Sequence, residues 1–173
     1  MVQERKEHLP SLRKGYFFIL LLVVFDMSSK YLAKQYLEFG EMVPMIPSLD
    51  LLLVFNSGVA FSMLDFNNAF TSYGLLIIGF ILVGYLYSML RKEEVPINFW
   101  ALILIIAGAV GNLLDRLMDG VVTDFLYFHV NQFSFFIFNF ADAFISIGAA
   151  LFFTAELRLS LIHISEPTRR RGI

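Results

Sequence analysis

The sequence predicts an all-α integral membrane protein: four transmembrane helices carrying a small extracytoplasmic β platform. Three observations predict it. Of the 173 residues, 58% are hydrophobic and only 16% charged, against about 45–50% and about 25% in soluble domains. The excess sits in four blocks, each near the roughly 20 residues a helix needs to cross the hydrocarbon core. Lys and Arg are also unevenly distributed between the connections. The length allows one domain, expected over residues 1–158, with 159–173 as a non-native tail.

The first span is expected over Tyr16 to Tyr36, wholly apolar from Phe17 to Phe25 and then carrying Asp26, Ser28, Ser29, Lys30 and Lys34. The apolar run has no small-x-small cleavage site after it, so it reads as a span and not as a cleaved signal peptide. Spans two to four are expected over Thr71 to Leu90, Ile97 to Leu117 and Phe138 to Leu157. Helix is the state that satisfies the backbone in lipid. Between spans one and two, Leu51 to Phe55, the turn Asn56-Ser57-Gly58 and Val59 to Met63 read as strand–turn–strand. Val121 to Val130 is rich in β-branched and aromatic residues and reads as extended. Trp100 is expected as an interfacial anchor.

Arg5, Lys6, Arg13 and Lys14 precede span one, Arg91 and Lys92 follow span two, and Arg158 follows span four. The connections Leu37 to Phe70 and Asp119 to Ile137 contain no Lys or Arg. The positive-inside rule places both termini and the Arg91 loop in the cytoplasm.

Cysteine is absent, which excludes disulfides, thiolate metal sites and a cysteine nucleophile. The net charge of -2 carries no basic face for nucleic acid. His8, His129 and His163 have no ligand spacing and are expected at surfaces or interfaces. Asp65 and Asp119 are expected as solvated loop acids. Leu159 to Arg169 reads LSLIHISEPTR; back-translated, it resembles a transposase adapter used in sequencing libraries, and the natural C-terminus is expected to be absent. The same codons in an independent library would sink that reading.

Ionisable residues within a membrane are costly and mark functional sites by default. With about 1.5 Å of rise per residue, Asp26 and Lys30, then Asn112, Asp115 and Arg116, then Asn139 and Asp142 all fall near the outer ends of their spans. Asp124 and Asn56 lie in the outer connections. Separate segments thus bring polar groups to one level. Asp26 and Lys30 stand i,i+4, acid before base, a favourable helix pair, and read as structural or supporting. Arg116 reads as neutralising a neighbouring carboxylate or holding a loop. Asn112 and Asn139 read equally well as interhelical glue, and Asp124 alone would pass for a surface acid.

Five motifs in order resemble those of the lipoprotein signal peptidases, the signal peptidase II family of aspartic proteases. They are Asp26-Met27-Ser28-Ser29-Lys30, Asn56-Ser57-Gly58-Val59-Ala60-Phe61, Gly111-Asn112-Leu113-Leu114-Asp115-Arg116, Val122-Thr123-Asp124-Phe125 and Phe138-Asn139-Phe140-Ala141-Asp142. The resemblance covers Tyr16 to Arg158. It implies a protease of the bacterial plasma (inner) membrane that cleaves diacylglyceryl-modified prolipoproteins on the amino side of the lipidated cysteine. It implies no metal and no cofactor, inhibition by globomycin, and Asp124 and Asp142 as the catalytic pair. Asp26, Lys30, Asn56, Gly58, Phe61, Asn112, Asp115, Arg116, Asn139 and Ala141 are expected to bind substrate or support the pair. The expected partners are prolipoproteins and membrane lipid, with the enzyme acting as a monomer.

Other protease classes lack their motifs. There is no His-Glu-x-x-His, no Gly-x-Ser-Gly, and Asn-Phe-Ala precedes Asp142 where a presenilin-like enzyme would have Gly-x-Gly. A Ser29–Lys30 dyad is disfavoured because adjacent helix residues point apart. The rivals from other classes are a small ion-coupled transporter, which would need a polar path across the membrane, and a non-catalytic lipoprotein-binding protein. Turnover separates all three.

Overall fold

A computed structural model describes residues 11–58 and 69–165. The elements run α1 (Leu12–Tyr36), β1 (Met42–Ile46), β2 (Leu49–Asn56), α2 (Ala69–Leu90), α3 (Pro96–Asp119), β3 (Val122–Val130), β4 (Phe133–Phe138) and α4 (Phe140–Ser165). All four helices are long and apolar enough to cross a membrane.

Helix α3 is the centre of the bundle. Over half of its span is buried, 56%, against 22% or less for the other three; α1, α2 and α4 all pack on it. Its close contact with α4 uses small residues, as helices in lipid do. A Cβ at Gly148 would press on the Ala101 carbonyl at 2.7 Å, and one at Gly108 would collide with the Ala141 carbonyl. One half of the bundle, nearest the Arg91 loop, is apolar: Leu86, Leu90, Phe99, Leu102, Ile103 and Ile106 form one cluster. There Asn98 pins α3 to α4 by donating to Glu156 Oε1 at 2.6 Å. Trp100, expected as an interfacial anchor, is half-buried and stands edge-on to Phe18 and Phe99; it packs α1 against α3.

The other end carries a four-stranded antiparallel sheet in the order β1-β2-β3-β4. The expected strand over Leu51 to Phe55 lies within β2, and that over Val121 to Val130 coincides with β3. The second half of the strand–turn–strand, Val59 to Met63, lies outside the described residues. Strand β2 pairs instead with β1, through a turn in which Ser48 takes φ 70, and with β3. Span four was expected from Phe138, but Phe138 ends β4 and the helix starts at Phe140. The apolar run of β4 has no helical period to separate it from the span behind it. Residues Val122 to Leu126 of β3 are all buried, so this inner strand is covered on both faces. The outer strands are bare and apolar: Met42, Val43, Met45, Ile46, Phe133, Phe135 and Phe136 are exposed. His129 of β3 pairs with Asp50 of β2 at 3.0 Å.

Candidate active site

Two elements deliver the two aspartates, and both are set by local rules. Helix α3 ends where Gly120 adopts φ 77 and caps it with an N–H to the Arg116 carbonyl at 2.9 Å; a left-handed glycine is the usual stop. The chain turns straight into β3, where Asp124 stands opposite Val54 of β2. Asn56 pairs with Val122, two residues from Asp124, so the two side chains share a face as diagonal neighbours. Asn56 Nδ2 donates to Asp124 Oδ2 at 3.2 Å. Its own Oδ1 accepts the Gly58 N–H at 3.0 Å, an Asx turn. Gly58 has φ 135, and a Cβ there would collide with Leu75, so this turn requires glycine.

Asp142 is presented by the cap of α4. Asn139 Oδ1 accepts the Asp142 N–H at 3.0 Å, and Asp142 Oδ2 accepts the Asn139 N–H at 3.3 Å. This is a capping box with Asn and Asp in the two places. The same Asn139 donates through Nδ2 to Asp124 Oδ1 at 2.6 Å. One buried amide thus ties both aspartates to one point. Asn112 Nδ2 donates to Asp142 Oδ1 at 2.8 Å. All three amides are oriented unambiguously, because the oxygen of each faces a group that can only donate: Gly58 N–H, Asp142 N–H and the Lys30 ammonium. Every amide therefore turns an N–H toward a carboxylate.

Asp124 is 4% exposed. Burial, and then the Asp142 charge, push its carboxyl up to about 6 from 3.8, against the hydrogen bonds from Asn56 and Asn139.

Behind the pair lies a wholly buried charge cluster. Lys30 Nζ lies 2.9 Å from Asp26 Oδ2, 3.6 Å from Asp115 Oδ2 and 2.8 Å from Asn112 Oδ1. Asp26 Oδ1 accepts the Ala141 N–H at 2.9 Å, and Ala141 is itself buried. Asp115 Oδ2 accepts the Thr123 N–H at 2.7 Å. Gly111 makes room for Asp26, since a Cβ there would stand 2.6 Å from Asp26 Oδ2.

The structure thus brings together Asp124, Asp142, Asn56, Asn112 and Asn139, with Asp26, Lys30, Asp115 and Ala141 directly behind and Gly58 at the rim. Phe61 lies outside the described residues, as do Asp65 and His8. Arg116, expected to neutralise a neighbouring carboxylate or hold a loop, stands within electrostatic reach of Asp124, Asp115 and Asp142. Its buried Nε has no hydrogen-bond partner among the described residues, and it is Asp115 that takes the Thr123 N–H of the chain entering β3. Asp119 is exposed to solvent, as expected, but it is the last residue of α3 and not a loop residue, and it pairs with Lys34 at 2.6 Å. Reasoning from sequence passed over Thr123 and the capping box. The box had a signal in the spacing of Asn139 and Asp142, which matches the polar-x-x-acid pattern of a helix start; Thr123 had none. Among the described residues no three His, Asp or Glu side chains are grouped to hold a metal ion.

Known proteins resemble this chain in sequence and fold. Residues 18–158 match the family model described as signal peptidase (SPase) II. A lipoprotein signal peptidase of Sinorhizobium fredii is 41% identical over 143 residues, covering 81% of this chain and 84% of that protein. One of Brucella ovis is 39% identical over 142 residues, covering 81% and 87%. Two solved bacterial membrane enzymes have the same fold. One has a TM-score of 0.72 at 25% identity, covering 92% of this chain and 94% of its own; the other has 0.74 at 28%, covering 83% and 92%. The match leaves the transporter and the non-catalytic binding readings without support. With its motifs in order, its polar groups converging on two aspartates and 18–158 covered by one family model, the chain belongs to the signal peptidase II family.

Proposed function

We propose that this chain is an aspartic endopeptidase that removes the signal peptide from diacylglyceryl-modified prolipoproteins, cutting on the amino side of the lipidated cysteine. Asp124 and Asp142 are its catalytic pair. One observation carries the reading: the Asn139 amide donates to Asp124 at 2.6 Å while accepting from Asp142 at 3.0 Å. Two acids, one on β3 and one at the start of α4, are held on a single side chain.

Peptide hydrolysis needs an activated water and a polarised carbonyl, and two close carboxyl groups sharing one proton supply both. The ionised member takes a proton from water as the water oxygen attacks the scissile carbon. The protonated member donates to the carbonyl oxygen. As the tetrahedral intermediate collapses, a proton passes to the departing nitrogen and the C–N bond breaks. A carboxyl pushed up to about 6 lets the pair hold its shared proton above the usual carboxylate range.

The depth of the site also supports this substrate. The acyl chains hold the scissile bond at the membrane surface, and the aspartates sit at one end of the spans. Arg13, Lys14, Arg91, Lys92 and Arg158 occur at the ends of helices remote from the sheet. This supports cytoplasmic termini and an extracytoplasmic site. The exposed apolar outer strands suit a platform resting on lipid. The family match ends at residue 158, in keeping with a peptidase unit of 1–158 and a tail outside it.

The test is cleavage of a diacylglyceryl-prolipoprotein by purified protein in detergent, beside Asp124→Asn and Asp142→Asn, with and without globomycin. The parent alone is expected to cleave, globomycin to block it, and each variant to lose roughly 1,000-fold or more. A folded variant that still cleaves at the parent rate overturns the pair; a folded parent without cleavage overturns the activity.

A further inference from the structure

The catalytic reading uses two aspartates and three asparagines and leaves the buried Lys30 without a task. A fully buried ammonium is costly unless every proton is matched. Lys30 meets a neutral oxygen, Asn112 Oδ1 at 2.8 Å, as well as the carboxylates of Asp26 at 2.9 Å and Asp115 at 3.6 Å.

Two features of its surroundings are linked. The carboxylates flanking Lys30 each grip the backbone N–H of the residue immediately before a proposed catalytic aspartate: Asp26 holds Ala141, before Asp142, and Asp115 holds Thr123, before Asp124. Asn112, the third partner, reaches Asp142 itself at 2.8 Å. With an ammonium on its oxygen, the Asn112 amide can present only N–H to Asp142. Without it, the amide is free to turn and set an oxygen against a carboxylate.

We propose that Lys30 is the positioning residue of the pair, setting the Asn112 amide against Asp142 and holding the two carboxylates that anchor the backbones of Asp142 and Asp124. This rests on the reading of those aspartates as catalytic. Lys34 is the natural contrast. It also reaches Asp115, at 3.6 Å, but its closest partner is Asp119, and it is 27% exposed.

Lys30→Met alone strands two buried carboxylates and is expected to misfold. The informative variant is Lys30→Met with Asp26→Asn, which removes one charge of each sign and leaves an oxygen for the Ala141 N–H. It is measured with Asn112→Asp, which keeps a partner for Lys30 but turns an oxygen toward Asp142. Both are compared with Lys34→Met, for kcat and KM on lipidated substrate and for the rise in Tm with globomycin. The double variant and Asn112→Asp are expected to lose roughly 100-fold in kcat, as small misplacements of reacting groups do. KM should change less than about threefold, globomycin should still raise Tm, and Lys34→Met should stay within about threefold of the parent. Cleavage within about threefold of the parent by either folded variant overturns the assignment. Because Asn112→Asp adds a carboxylate beside Asp142, the rise in Tm with globomycin is the check that each variant is folded. Asp124→Asn and Asp142→Asn run alongside. If those still cleave, the pair is wrong; if they are inactive while the Lys30 variant is active, only the role of Lys30 falls.

Discussion

The two halves of the bundle bury residues equally well and for opposite purposes. Toward the Arg91 loop, Leu90, Leu102 and Ile103 are 1% exposed and belong to one apolar cluster, with the Asn98–Glu156 pin in the same half. Toward the sheet, Asp26, Lys30, Asp115, Thr123 and Asn139 are 0% exposed, and each holds a polar partner at a specified atom. Lipid exerts no hydrophobic force between helices. The apolar half therefore stabilises through dispersion and fit. The polar half stabilises through matched hydrogen bonds, where a missing partner leaves another group bare. The contrast teaches that one helix, α3, serves as a structural spine over one half and as part of the support for Asp124 and Asp142 over the other.

The comparison can be broken first at Asn139. Asn139→Ala removes a helix cap, worth about 1 kcal/mol, and both links between the aspartates. Cleavage is expected to fall roughly 100-fold, and Tm to fall by more than the cap alone accounts for, since the buried Asp124 loses a donor. A variant as active as the parent would show that the amide bridge is packing and not positioning.

Leu102→Ala should do the reverse. Removing a core leucine costs about 2–5 kcal/mol in soluble proteins. About 2 kcal/mol is expected here, since no water-transfer term adds to the lost packing. Tm should fall while kcat stays within about twofold. Lost turnover at intact fold would mean that the halves are coupled and not divided.

The smallest effect sharpens the comparison by pH. Asp124 is raised from 3.8 to about 6 by burial, so between those values the folded state holds a proton that the unfolded chain has released. The associated stability is greatest below pH 3.8 and falls as pH rises through about 6. Tm of the parent should decline across that window by on the order of a few degrees, and Asp124→Asn should flatten the decline. Parallel curves would place the titration elsewhere.

Much of this was legible in the chain. Four apolar blocks marked the spans to within a few residues because lipid leaves the backbone no other choice. Asp26, Asn112 and Asp142 stood out because a polar group at span depth is rare. The β1 strand was invisible, since Met42 to Ile46 has no alternation, and β4 ran into the fourth span without a break. Which carboxylates Arg116 faces, Asp124, Asp115 and Asp142, was not legible, because charge alone does not say which neighbours it meets.

The sequence by itself determined that this is a four-span membrane protein of the signal peptidase II kind, and which aspartates to suspect. Periodicity, length and motif order are local quantities, readable along a chain. Only the tertiary structure decided that Asn139 joins the aspartates, that Gly111 yields its space to Asp26, and that Lys30 stands behind both. Those are contacts between residues up to 115 positions apart, whose partners are chosen by how helices pack and which hydrogen bonds remain to be satisfied once water is gone.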